Sequence, residues 1–269
     1  MKRLTYLFSL LFVLTLTGCE EEITLDFDKT VPRLVIEANI FADEPAYNKV
    51  HLSTTTDFYS NVFPAIDDAE VKITDLADQT VYTFHNIKNG DFINPSFTPQ
   101  TGGLYELTVI YKNQTYKAQS TLMTAPEITE ITQKDDGGIT GDTYEIKFFF
   151  QDDASKEDYY LVEMNSPADH YFGTLNDQFT NGNLTDDLYF FDKEDIKPGD
   201  ELQYAITSIS KDYYNYLSKL LSISGESSNP FASPMGTIKG NLVNQDDKEN
   251  YALGYFHIAK RNQYTYSVK

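Results

Sequence analysis

The chain has 269 residues, with 41 acidic against 21 basic side chains and a formal net charge of −20. A surface of that sign argues against gripping nucleic-acid backbone, which needs basic residues, and against a polybasic contact with anionic lipid. A single cysteine rules out a disulfide framework within the chain, so the fold must stand on its core.

Residues 1–18 read as a secretory signal peptide. Lys2 and Arg3 precede an apolar run, Leu7 to Leu14, and small residues follow before a cut site. The run is too short for a span, which needs roughly twenty apolar residues, and Ser9, Thr15 and Thr17 interrupt it. The ending Leu16-Thr17-Gly18-Cys19 has the form of a lipobox, and Cys19 is the only cysteine. The expectation is cleavage before Cys19, whose thiol carries a diacylglycerol and whose new amino group is acylated. Two or more acyl chains hold a protein stably where one gives only marginal binding. Cys19 is thus the expected lipidation site. Cleavage removes Lys2 and Arg3, which leaves 19 basic against 41 acidic residues and a charge of −22 over 251 residues.

Residues 19–30 read as the lipid anchor and an acidic tether. Glu20 to Thr30 has few groups able to pack, and its eleven residues reach ~35 Å when extended. Residues 31–123 are expected to form a β-sandwich of immunoglobulin or transthyretin-like type. Leu34, Ile36, Ala38 and Ile40 alternate with Val35, Glu37 and Asn39, the period of a half-buried strand. Similar segments follow at Val50–Thr56, Val71–Thr74 and Val81–Ile87, with Asp, Asn and Gly between them as turn residues. Leu104–Tyr111 and Thr115–Leu122 flank Lys112-Asn113-Gln114, which predicts a hairpin.

Residues 124–269 are expected to form a second β-rich domain carrying one amphipathic helix. Its predicted strands are Ile128–Gln133, Thr143–Phe150, Tyr159–Met164 and Leu202–Ile209, with a short strand near Leu188–Phe191 and a pair at Ala252–Ala259 and Tyr264–Val268. Pro198-Gly199-Asp200 reads as a tight turn and Gly254 as a point of close backbone approach. The helix is predicted over 211–222, where Tyr213, Tyr216, Leu217, Leu220 and Leu221 share one face. Ser210 is placed to cap its start, and Asp212 suits the positive end of its dipole. The mainly β reading follows from 20 Tyr and 18 Phe in strand-like segments.

No pattern identifies a reaction. His51, His85, His170 and His257 stand at least 34 positions apart, with no pair at metal-ligand spacing. Gly225-Glu226-Ser227-Ser228-Asn229 lacks the second glycine of a nucleophile elbow. Acidic pairs recur at Asp67-Asp68, Asp135-Asp136, Asp152-Asp153, Asp186-Asp187 and Asp246-Asp247, without the spacing of a calcium-binding EF-hand loop. Asn176, Asp177, Asn181, Asn183, Asp186 and Asp187 crowd together as the nearest candidate for calcium, and polar turn chemistry is the favoured reading. No catalytic, cofactor-binding or metal residue is assigned, and a non-enzyme is expected.

Several stretches carry a resemblance. They are the lipobox with its acidic tether, Pro32-Arg33-Leu34-Val35-Ile36-Glu37-Ala38, Lys197-Pro198-Gly199-Asp200, Ser208-Ile209-Ser210, Tyr213–Leu217, Asn229-Pro230-Phe231 and Leu253-Gly254-Tyr255-Phe256. Together they resemble an uncharacterised family of Bacteroidota lipoproteins, a domain of unknown function of about this length. That resemblance implies an outer-membrane lipoprotein; its acidic tether resembles a surface-export signal that would place it on the cell surface, with a merely solvated linker as the other reading. It also implies an accessory part beside a TonB-dependent receptor, in nutrient capture or assembly. The alternatives are a structural surface lipoprotein without a small ligand and, third, an enzyme acting on glycans or peptides.

Overall fold

The computed structural model describes residues 31–44, 48–57, 60–225 and 237–269. The expected signal peptide, Cys19, the expected tether and Asn229-Pro230-Phe231 lie outside the described residues. Sixteen strands and one helix, α1 (Lys211–Gly225), make up the described fold, which is mostly β and built as sandwiches. Among the described residues no helix is long and apolar enough to cross a membrane.

The first sandwich is built from β1 (Leu34–Phe41), β2 (Lys49–Thr54), β3 (Glu70–Asp75), β4 (Val81–Lys88), β5 (Asp91–Ile93), β6 (Leu104–Tyr111) and β7 (Gln114–Thr121). The alternation read in β1 is realised, with Leu34, Ile36, Ala38 and Ile40 all buried. They share one core with Leu52 of β2, Ile73 of β3 and Leu107 of β6. β4 passes between layers: Val81–Phe84 pairs with β3, whereas His85–Lys88 pairs with β5. The expected hairpin after β6 is present, and Lys112 and Asn113 both have positive φ, as a type I′ turn requires.

The second sandwich sets β9 (Ile128–Gly137), β10 (Thr143–Gln151) and β13 (Leu184–Asp192) against β11 (Tyr159–Asn165), β12 (His170–Asn176) and β14 (Glu201–Ile209). Along β10 the residues Tyr144, Ile146, Phe148 and Phe150 point inward, and Phe148 stacks on Tyr204 of β14 at 4.3 Å. In β11, Tyr160, Val162 and Met164 face that core, while Leu161 faces α1. Burial on both faces is why β11 reads as an almost continuous apolar run. The predicted short strand near Leu188–Phe191 is corrected to nine residues, and β12 is an additional strand. Alternation there is masked because outward positions of β13, such as Leu188 and Phe190, are also apolar.

The short strands β8 (Met123–Thr124) and β15 (Val243–Asn244) pair with β16 and β7. The C-terminal pair is corrected to one continuous strand, β16 (Leu253–Ser267). Its first half lies parallel to β1, and its second half runs antiparallel to β14. Leu242, Ala252, Phe256 and Ile258, which the expected boundary at 123/124 places in the second domain, belong to the core of the first sandwich. β1 pairs with β2 on one side only, and β16 satisfies its other edge. Gly254 makes this possible: its φ is +93°, and an added Cβ would fall on the Ile36 carbonyl.

The helix starts as expected, with the Tyr213 amide donating to Ser210 Oγ at 3.2 Å. Tyr213 and Leu217 are buried against Leu161, Ile209 and Tyr255. Leu220 departs from the expected face and is exposed. The buried apolar contacts of the helix thus come from Tyr213 and Leu217.

Candidate functional site

His51 and His257 have the most defined environments of the four histidines. His51 Nδ1 lies 2.6 Å from Asp91 Oδ1, and Lys49 Nζ reaches Asp91 Oδ2 at 2.9 Å. His257 is buried on β16, stacked on Tyr213 at 4.2 Å. Burial alone pushes its pKa down to about 3, so it is a neutral core residue. His85 and His170 are exposed.

Most acidic pairs serve turns. Asp67 Oδ1 accepts from Asn86 Nδ2 at 2.9 Å and from the Gly90 amide at 2.8 Å, which holds its pKa below the usual value. Asp246 Oδ2 accepts the Thr115 amide at 2.7 Å. The candidate group Asn176–Asp187 is taken apart by the fold. Asn176 donates to the Tyr214 hydroxyl, Asp186 pairs with Lys147 at 3.1 Å, and Asp187 turns inward to accept from the Tyr189 hydroxyl. Only Asp177 of that group joins other carboxylates.

It joins Asp152 and Asp158. One carboxylate oxygen of each lies within 4.8 Å of the others, and all three residues are buried. The three stand at strand ends: Asp152 just after β10, Asp158 just before β11, and Asp177 just after β12. Asp152 accepts from the Tyr160 hydroxyl at 2.6 Å and from the Gly182 amide at 2.8 Å. Asp177 Oδ2 accepts the Asp158 amide at 2.9 Å. Gly182 is required for this, because its φ is +76° and a Cβ would press on Ala154. Burial pushes the Asp158 carboxyl above its ordinary value, against the pull of Lys156, and the charges of Asp152 and Asp177 add to the rise. Sequence spacing hid this cluster, since its members come from three strand ends; Asp152 and Asp158 lie beside two expected strands, but β12, which places Asp177, was not among them.

Above Asp177 the start of α1 and the loop after β12 enclose a cleft of about 500 Å³. Tyr159 and Tyr214 lie 4.9 Å apart along it, both half-buried. Asn176, Gln178, Asn181 and Lys211 supply polar groups around them. Lys211 Nζ meets Glu157 Oε2 at 3.1 Å and lies over the Tyr159 ring. Rings flanked by amides and a cation suit stacking and hydrogen bonding to a polar ligand.

The model of a domain of unknown function, DUF4249, matches residues 20–265. The chain belongs to that family. In this DUF4249 protein the match runs from residue 20 to within β16 and so takes in both sandwiches. No curated protein matches the chain. Among solved structures, a segment of two fibronectin type III domains from chicken tenascin is similar at 12% identity, covering 66% of this chain and 91% of that one, with a TM-score of 0.22. The chicken interferon gamma receptor alpha chain is similar at 10% identity, covering 66% and 88%, with a TM-score of 0.20. The sandwich assignment rests on the strand pairing and the shared cores described above.

Proposed function

We propose that the protein is a bacterial lipoprotein, cleaved before Cys19, acylated there and held in the outer membrane with its folded part at the cell surface. In this reading it is a non-catalytic binding or accessory module for a TonB-dependent receptor. The observation that carries the proposal is the lipobox Leu16-Thr17-Gly18-Cys19, whose cysteine is the only one in the chain. The family match opens at residue 20, immediately after that cysteine, which agrees with a domain that follows a lipid anchor. The cleft lined by Tyr159 and Tyr214 supports binding over a purely structural role, because half-buried aromatic rings stand there beside Asn176, Gln178, Asn181 and Lys211, which can hydrogen-bond a polar ligand.

The test pairs lipid labelling with capture. Wild type grown with an alkyne palmitate analogue should take up label, and Cys19→Ser should lose it. Wild type recovered from solubilised outer membranes should bring one receptor barrel in stoichiometric amount. Equal labelling of the mutant would end the lipoprotein reading, and labelled protein that brings no barrel would end the receptor assignment.

A further inference from the structure

We infer that Asp152, Asp158 and Asp177 form a calcium site that ties three strand ends of the second sandwich together. The cluster places three carboxylates in a buried space with one cation beside it. That cation, Lys156 Nζ, lies 2.6 Å from Asp158 Oδ1, and the lysine is itself half exposed. Two negative charges are therefore left without a cationic partner on side chains that are themselves buried, which is costly unless something else neutralises them.

A second observation points to the same place. Asp158 is 2% exposed, and its Oδ2 meets no hydrogen-bond donor. Buried polar atoms are almost always paired, and an orphan oxygen calls for an ion or a water. The other oxygens are oriented from outside: Tyr160 and the Gly182 amide hold Asp152, and the Asp158 amide holds Asp177. Outer contacts of this kind are what aim ligands at a metal.

The donor set selects the ion. All three ligands are hard oxygens, with no histidine or cysteine in the group, which disfavours zinc. Calcium takes 6–8 oxygens at ~2.3–2.6 Å, so ligands on opposite sides of one ion stand about 4.8 Å apart. The three oxygens here lie within 4.8 Å of one another, close enough to share one cation. Magnesium prefers one or two carboxylates and keeps several waters, which suits a buried triad poorly. Access exists from two sides, since Asp177 lines the cleft beside α1 and Asp158 lines a second cleft of about 500 Å³ next to Met123–Thr124. The bound ion would link β10 of one layer to β11 and β12 of the other. This inference does not depend on the lipoprotein reading.

The experiment uses full-length protein in detergent, stripped with a chelator and titrated with calcium chloride by calorimetry and thermal melting. One equivalent should bind, and the melting temperature should rise by about 5–10 °C at a hundredfold excess over Kd. Asp158→Asn should remain folded, because it removes charge repulsion, and should bind calcium about 10–100-fold more weakly. Terbium provides a measurement that does not depend on that variant. The chain has no tryptophan, so emission excited through tyrosine should appear, be displaced by calcium, and drop in Tyr160→Phe at unchanged calcium stoichiometry. No heat and no shift up to about 10 mM calcium, beyond the weakest extracellular modules, would overturn the proposal. So would equal affinity in Asp158→Asn, or magnesium saturating at the same concentration as calcium.

Discussion

The two halves of β16 are one strand with two different sequences. Leu253–Ala259 (LGYFHIA) is buried almost throughout, whereas Arg261–Ser267 (RNQYTYS) alternates between half-buried and exposed positions. In the first half Phe256 and Ile258 enter the core of the first sandwich, while Tyr255 and His257 lie under α1 on the opposite face. In the second half only Tyr264 and Tyr266 pack inward, and Gln263 and Thr265 are exposed. Coverage explains the contrast. A strand covered on both faces must be apolar at every position, and one covered on a single face needs apolar groups only at alternate positions. The first half also fills the open edge of β1, so it is the half that joins the end of the chain to the first sandwich.

That comparison can be broken most directly at Phe256, which is fully buried. Phe256→Ala should cost about 3–5 kcal/mol by transfer and cavity terms, read as a fall in the denaturant midpoint at unchanged slope. A loss below about 1 kcal/mol would mean that the first half of β16 is not anchored in the core as described.

His257 sharpens it through pH. Its folded pKa is depressed to about 3, below the ordinary 6.5. The unfolded chain therefore takes up a proton that the folded one refuses. Stability from this residue is complete above about pH 6.5 and is lost as pH falls toward 3, at up to about 1.4 kcal/mol per pH unit. Comparing wild type with His257→Phe isolates the effect, because the ring stays and the proton site goes. Wild type should lose stability faster than the variant between about pH 6 and 4, and parallel curves would show that the imidazole reaches water.

The smallest effect belongs to the outer face of the second half. Thr265→Ala should change stability by no more than about 0.5 kcal/mol, the usual range for an exposed position. A larger loss would show that this face of β16 is covered by something else.

Much of the fold was legible because strand periodicity reports coverage. β1 and β10 alternate cleanly, and Lys112-Asn113 marks its hairpin by turn chemistry. Residues 165–200 were obscure for the converse reason. Leu184, Leu188 and Phe190 point outward, so apolar residues fall on both faces of β13 and the period is lost. The helix was visible from its apolar stripe, but the exposed Leu220 shows that a stripe states which face is apolar and not which of its residues a neighbour covers. The triad Asp152, Asp158 and Asp177 was invisible to motif spacing, since Asp177 is brought to the other two by the antiparallel pairing of β11 with β12.

By itself the sequence determined the local choices: where strands alternate and where the helix starts after its Ser210 cap. Those choices depend on side-chain period and backbone preference within a few residues. Only the tertiary structure decided that the last strand serves both sandwiches and that three scattered aspartates converge. Both outcomes rest on pairing between residues far apart in the chain, such as Ile36 with Gly254 and Tyr159 with Asn176, and no local pattern encodes which distant edge a strand will fill.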